Sequence, residues 1–140
     1  MKTWTRALLI ILIFGVPAYL LNPIIWPPSV DIDVTLGQTP FYKLLAVAEA
    51  LAFGIGFAFI ILGWPLIKKT SLKNRNRAIL LYFFISWLLV SWWPHDNLHL
   101  HIGLDSLGFL LVEYEFHVTL MIVGAISAYC FYGLLKDRKL

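Results

Sequence analysis

The succession of long apolar segments is the feature that most limits the folds open to this chain of 140 residues. Hydrophobic residues make up 60% of the sequence and charged residues 14%, whereas soluble domains carry roughly 25% charged residues. A helix that crosses a membrane needs about 20 apolar residues, so the chain has room for four such helices and short connections. We therefore predict an all-α integral membrane protein, a four-helix transmembrane bundle that forms a single domain over residues 1–140.

The bounds of the spans follow from where apolar runs meet prolines, glycines and charges. The spans are predicted at residues 7–25, 41–67, 78–93 and 107–135, with outer loops at 26–40 and 94–106 and a basic loop at 68–77. In the second span, alanines and glycines recur every four residues, a spacing that lets neighbouring helices approach closely.

The first apolar run has a second interpretation, because a short apolar run after a basic start also fits a cleavable signal peptide. Apolar residues continue through Ile24, Ile25 and Trp26, which favours a first span that is retained.

Basic residues predict the orientation of the bundle, because loops on the cytoplasmic side of a membrane carry an excess of lysine and arginine. Ten of the eleven basic residues fall at one end, and the loop 68–77 alone carries five of them and no acid. Both termini are therefore predicted to be cytoplasmic, in a multi-pass protein of the cell membrane. This topology accounts for the basic charge, so we predict no nucleic-acid partner.

Residues that bear on function gather at the opposite end of the predicted bundle, where all four histidines and seven of the eight acids lie. Ionisable residues inside or beside apolar spans are expensive to keep there, which makes them candidates for a functional site. The candidate metal ligands are His95, His99, His101, Glu113 and His117, and the candidate catalytic residues are Glu49 and Glu115.

Helix geometry predicts which residues of the fourth span converge. Glu113 and His117 are four residues apart and share one helix face, whereas Glu115 points to nearly the opposite side. Counted from the predicted outer ends of their helices, Glu49 lies at a depth similar to that of Glu113 and His117.

The histidines of the loop 94–106 allow two arrangements. A helical turn after Pro94 would place His95 and His99 on one face, whereas an extended chain would do the same for His99 and His101. In either case two imidazoles can face one point above the fourth span.

A set of imidazole and carboxylate donors without thiolate suits divalent zinc, iron, manganese or copper. The single cysteine, Cys130, lies in the last span and has no partner for a disulfide or a thiolate metal site. The spacing of the candidate ligands matches no standard metalloenzyme motif such as H-E-x-x-H.

The sequence leaves three functional hypotheses open. The first is a membrane protein whose outward-facing His/Glu site binds a transition metal. If that protein is an enzyme, it would act on an apolar small-molecule substrate, with Glu49 or Glu115 as the base. The second is a non-catalytic accessory subunit or assembly factor of a larger membrane complex. The third is a bundle that binds haem or quinone, which is weakened because only one histidine, His117, lies in a predicted span. Membrane lipids are expected partners in all three.

Overall fold

A computed structural model of the chain describes residues 2–31, 38–70 and 75–137, apart from the side chains of Thr70 and of residues 134–137. Nearly all of this part of the chain is helical, and no strand occurs in it. The elements are α1 Thr3–Ile25, α2 Thr39–Leu62, α3 Trp64–Thr70, α4 Arg75–Ile102, α5 Ser106–Val112, a π-helical segment Glu113–Val118, and α6 Thr119–Asp137. The last three follow one another without a break and form one long helix.

The predicted all-α bundle with four membrane-capable helices is confirmed. Four helices are long and apolar enough to cross a membrane, namely Thr3–Ile25, Thr39–Leu62, Arg75–Ile102 and Ser106–Gly133. Among the described residues, the short helix α3 is the one helix that is not part of such a span.

Small residues bring α1 and α2 together at backbone distance. A Cβ atom added to Gly54 would lie 2.6 Å from the carbonyl oxygen of Ile11, and one added to Gly15 would lie 2.9 Å from that of Ala50. Ile11 faces Gly54 and Gly15 faces Ala50, so residue numbers increase along α1 in the direction in which they decrease along α2. The two helices are therefore antiparallel. The spacing of small residues in the second span therefore has the packing role that the sequence predicts.

The remaining helices continue the antiparallel pattern. A Cβ atom added to Gly56 of α2 would lie 2.6 Å from Val90 of α4, and Glu49 of α2 is hydrogen-bonded to Asn97. Between α4 and the last helix, Leu81 packs near Cys130 at one end, and His99 lies against Phe109 at the other. The four long helices therefore run alternately up and down. We call the two ends of the bundle the basic end, where α1 begins and α3 lies, and the histidine end.

The predicted end of the third span, Trp93, is not the end of its helix. The helix α4 continues through Pro94 to Ile102, so most of the predicted outer loop 94–106 is helical. Proline removes only one backbone hydrogen bond, and in the same turn the Asn97 side chain donates to the Trp93 carbonyl oxygen at 2.5 Å. The indole of Trp93 packs against the rings of Trp26 and Phe53, which fixes this part of the helix in the bundle.

The second span is shorter than predicted and breaks at Gly63 rather than running to residue 67. Pro65 has no N–H for the helical hydrogen bond and its ring crowds the preceding turn, so α2 ends at Leu62 and α3 begins at Trp64. Residues 68–70 of the predicted basic loop belong to α3 and residues 75–77 to α4, while 71–74 lie outside the described residues.

The first outer loop is described only at its two ends, since residues 32–37 lie outside the described residues. Its first part lies against the end of α4, where the backbone N–H of Ser29 donates to the carbonyl oxygen of Leu100 at 2.9 Å. Across the histidine end, Asp105 caps α5 by accepting hydrogen bonds from the backbone N–H groups of Leu107 and Gly108.

Candidate metal centre

The last turns of α4 place two histidines on one face of the helix. Of the two arrangements that the sequence allows, the structure has the helical one, and His95 Nε2 and His99 Nε2 lie 3.0 Å apart. His95 is 7% exposed, whereas His99 is partly accessible. This contact depends on the continuation of α4 beyond Pro94, because a 3.6-residue turn brings residues four apart together.

The π-helical segment supplies the third histidine. His117 Nδ1 and a carboxylate oxygen of Glu113 are hydrogen-bonded within it. At the end of this segment the hydroxyl of Thr119 donates to the carbonyl oxygens of Glu115 and Phe116, at 2.5 and 3.0 Å. Such single-turn π segments are frequent at functional sites.

Three histidines converge between α4 and the π-helical segment. One ring nitrogen from each of His95, His99 and His117 lies within 4.8 Å of the corresponding atom of the other two. Glu113 Oε1 is 3.8 Å from His99 Nε2, so this carboxylate stands beside the cluster as well as on His117. We call His95, His99 and His117 the histidine cluster.

A carboxylate that the sequence analysis did not include among the site residues holds His95 in place. Asp96 Oδ1 lies 2.7 Å from His95 Nδ1, and its other oxygen accepts a hydrogen bond of 2.9 Å from the indole N–H of Trp92. From sequence alone, Asp96 is explained as well by a helix cap after Pro94. The four-residue spacing between Trp92 and Asp96 is the one signal that could have indicated its position.

Glu49 lies behind this carboxylate, at the centre of the bundle. Its side chain is 2% exposed, and Oε2 accepts a hydrogen bond of 3.1 Å from Asn97 Nδ2. The carboxyl groups of Glu49 and Asp96 lie close enough to interact electrostatically. Asp96 itself faces the indole N–H of Trp92 and the ring of His95, so Glu49 is separated from His95 by this one residue.

Two of the predicted site residues lie apart from the cluster. His101 Nδ1 is 2.8 Å from the carbonyl oxygen of Pro27, and it holds the segment after α1 rather than the other histidines. Glu115 is exposed on the outer side of the last helix, as its offset of two residues from Glu113 predicts. Of the predicted ligands, the structure therefore brings together His95, His99, Glu113 and His117. Glu49 lies behind this group, with Asp96 between it and His95.

A cleft of about 390 Å³ connects the cluster with the histidine end of the bundle. It is bounded by the first turns of α2, the last turns of α4 and the start of the last helix, and its lining is mostly apolar. Within the part of the chain that the structure describes, its ionisable lining residues are Asp96, His99 and Tyr42. A small molecule or ion in this cleft would therefore reach His99 before any other histidine.

The ring nitrogens of the cluster have a defined division of roles. In His95 and His117 the Nδ1 atom faces a carboxylate, so Nδ1 carries the proton and Nε2 keeps a lone pair, which in His95 is directed at His99 Nε2. Metal-binding histidines commonly donate their second N–H to a carboxylate in this way, which fixes both the tautomer and the orientation of the ring.

Comparison with known proteins gives no match: no family model, no curated protein and no solved structure matches this chain.

Proposed function

We propose that this protein is an integral membrane protein that binds one divalent transition-metal ion through His95, His99 and His117. The observation that carries the proposal is the convergence of three imidazoles, two of which have Nδ1 held by a carboxylate. Keeping three polar rings and two acids together in an apolar bundle, with His95 buried, is expensive unless the groups are mutually satisfied or hold an ion.

The spacing of the ring nitrogens suits a single ion. Zinc–nitrogen bonds of about 2.0–2.1 Å in a tetrahedral site separate two ligand nitrogens by about 3.3 Å. The nitrogens of His95 and His99 are 3.0 Å apart and all three lie within 4.8 Å, so small rotations of the rings would meet that requirement. Zinc, iron, manganese and copper all accept this donor set.

In this proposal Glu113 orients a ligand rather than acting as one. Its carboxylate accepts the Nδ1 proton of His117, and at 3.8 Å it also approaches His99. Asp96 has the same relation to His95. Three histidine ligands leave a further coordination position, as in catalytic rather than structural zinc sites, and the apolar cleft beside His99 suits a small apolar substrate.

The haem alternative is less well supported by this geometry. A haem plane needs two imidazoles on opposite faces with a porphyrin-wide slot between them, whereas these rings contact one another at centroid distances of 4.5 to 5.9 Å. A non-catalytic accessory subunit remains the competing function. A stoichiometric metal in the purified protein would count against a subunit whose role is purely structural.

The proposed orientation puts the basic end in the cytoplasm, in a multi-pass protein of the plasma membrane. About 20 residues of helix cross the apolar core, so a span that begins after Arg77 reaches the level of Asn97 and sets the histidine cluster at the outer boundary. A cysteine placed at position 74 should resist labelling from outside sealed cells, whereas one placed at position 105 should react. Labelling at position 74 would show that the orientation is the reverse of the proposed one.

The test of the metal proposal is the metal content of detergent-purified protein. We expect about one transition-metal ion per chain, which is lost from His95→Ala, His99→Ala and His117→Ala. The matched control is His101→Ala, because His101 lies on the same helix but binds the carbonyl of Pro27. A purified protein without metal that also fails to take up added zinc, iron, manganese or copper would refute the proposal.

A further inference from the structure

A second cavity lies at the basic end, on the opposite side of the bundle from the histidine cluster. It is a groove of about 770 Å³ between the first turns of α1 and the end of α2 with α3. This size falls within the range of about 300–1,000 Å³ that is typical of ligand sites. None of its lining residues belongs to the histidine cluster or to the cleft beside it.

The break between α2 and α3 produces this groove. Because α2 ends at Leu62 and the chain turns at Gly63 before Pro65, α3 does not continue along α1. The groove is left between the two, with Trp4 and Ala7 on one wall and Leu62 and Leu66 on the other. Its lining is almost entirely apolar, and Trp4 is 65% exposed at its rim.

One charge stands in this apolar wall. Among the described residues that line the groove, Lys69 is the only charged one, and α3 also carries Lys68 next to it. The groove thus offers an apolar channel that ends at a basic group. An anionic amphiphile matches both features, since its chain fits the apolar walls and its headgroup meets the ammonium.

We propose that this groove binds one anionic phospholipid of the adjoining membrane leaflet, with an acyl chain along α1 and α2 and the phosphate at Lys69. Basic residues beside a membrane span attract anionic headgroups, and tryptophan at the rim of a span favours the headgroup level. A zwitterionic lipid offers the same acyl chain but no net charge to pair with the lysine, so the site selects by headgroup. This inference is independent of the metal proposal, because no residue is shared.

The test uses the full-length protein reconstituted in phosphatidylcholine vesicles that contain a minor share of a brominated lipid. Bromine on an acyl chain quenches a tryptophan that it touches, and the contribution of Trp4 is obtained by comparison with Trp4→Phe. We expect brominated phosphatidylglycerol to quench Trp4 more than brominated phosphatidylcholine does at the same share. In Lys69→Gln this preference should fall about fivefold, as expected for the loss of one lysine near a membrane surface.

Two further variants distinguish lipid binding in the groove from a general effect of removing a positive charge. Lys43→Gln removes the same charge at the histidine end and should leave the preference unchanged. Ala7→Phe fills the groove from α1 and should reduce quenching of Trp4 by the anionic lipid. Equal quenching by the two brominated lipids would refute the proposal, as would equal effects of Lys69→Gln and Lys43→Gln. Absence of quenching by either lipid, together with a dimer in solution, would mean that a second copy of the chain covers the groove.

Discussion

Glu49 gives the sharpest mutational prediction, because two roles of this residue predict opposite results for zinc binding by one variant. If Glu49 supports the ion through its negative charge, replacement by glutamine should weaken zinc binding. If Glu49 supports the site from behind only through hydrogen bonds, glutamine can replace it. The glutamine oxygen can accept from Asn97 as Glu49 does, and the amide N–H group can donate to the neighbouring Asp96.

The magnitudes follow from the contacts that each variant keeps. Glu49→Leu removes the acceptor of one N–H of the Asn97 amide in the interior, and such a buried unsatisfied donor costs about 1–3 kcal/mol. It also frees Asp96 to move away from His95, and loss of such support behind a ligand lowers metal affinity by about 10–100-fold. Glu49→Gln keeps an acceptor for Asn97 and a polar neighbour for Asp96, so its metal affinity should stay within about threefold of the natural protein.

The assay is competition between the purified protein and a chromophoric chelator for zinc, measured together with the melting temperature. The matched control is Glu115→Leu, which removes an exposed carboxylate from the same end of the bundle and should change neither quantity. If Glu49→Gln weakened zinc binding as much as Glu49→Leu, the hydrogen-bonding role of Glu49 would be wrong.

Three further predictions test the packing and the site. Glu113→Gln should weaken zinc binding about 10–100-fold because it loosens His117, whereas Glu115→Gln should bind zinc as the natural protein does; equal losses in the chelator competition would contradict the division of roles. Gly54→Ala should lower the melting temperature, since its Cβ would meet a backbone oxygen at 2.6 Å and such overpacking costs about 1–3 kcal/mol, whereas Gly124→Ala has no atom within 4 Å and should not. Metal affinity should fall as the pH drops from about 7.5 to about 5, because protons compete for imidazoles whose ordinary pKa is about 6.5; the stabilisation by metal is present at the higher pH and lost at the lower. An affinity that is equal at both pH values would exclude coordination by histidine.

Much of the fold could be predicted from the sequence because it depends on local and periodic features. Apolar length defines the four long helices, and the four-residue spacing around Gly54 predicts close helix packing, which the structure has between α2 and α1. Within one helix the geometry is equally local, which is why the pairing of Glu113 with His117 and the outward direction of Glu115 were both predictable.

The parts that the sequence did not provide depend on tertiary contacts. Pro94 is typical of a helix boundary, but packing of Trp93 against Trp26 and Phe53 keeps α4 helical beyond it. That continuation selects His95 over His101 as the partner of His99. The contact of Glu49 with Asn97 likewise depends on the approach of α2, since the two residues are nearly fifty positions apart in the chain.

The most direct test of the central claim is X-ray absorption at the metal edge of the protein loaded with one equivalent of zinc or cobalt. Imidazole rings give a characteristic scattering pattern, so the spectrum counts the histidines bound to the ion. The account predicts three imidazole nitrogens in the natural protein and in His101→Ala, and two in His117→Ala if that variant retains the ion. A spectrum with one imidazole or none, or one that loses an imidazole in His101→Ala, would contradict it.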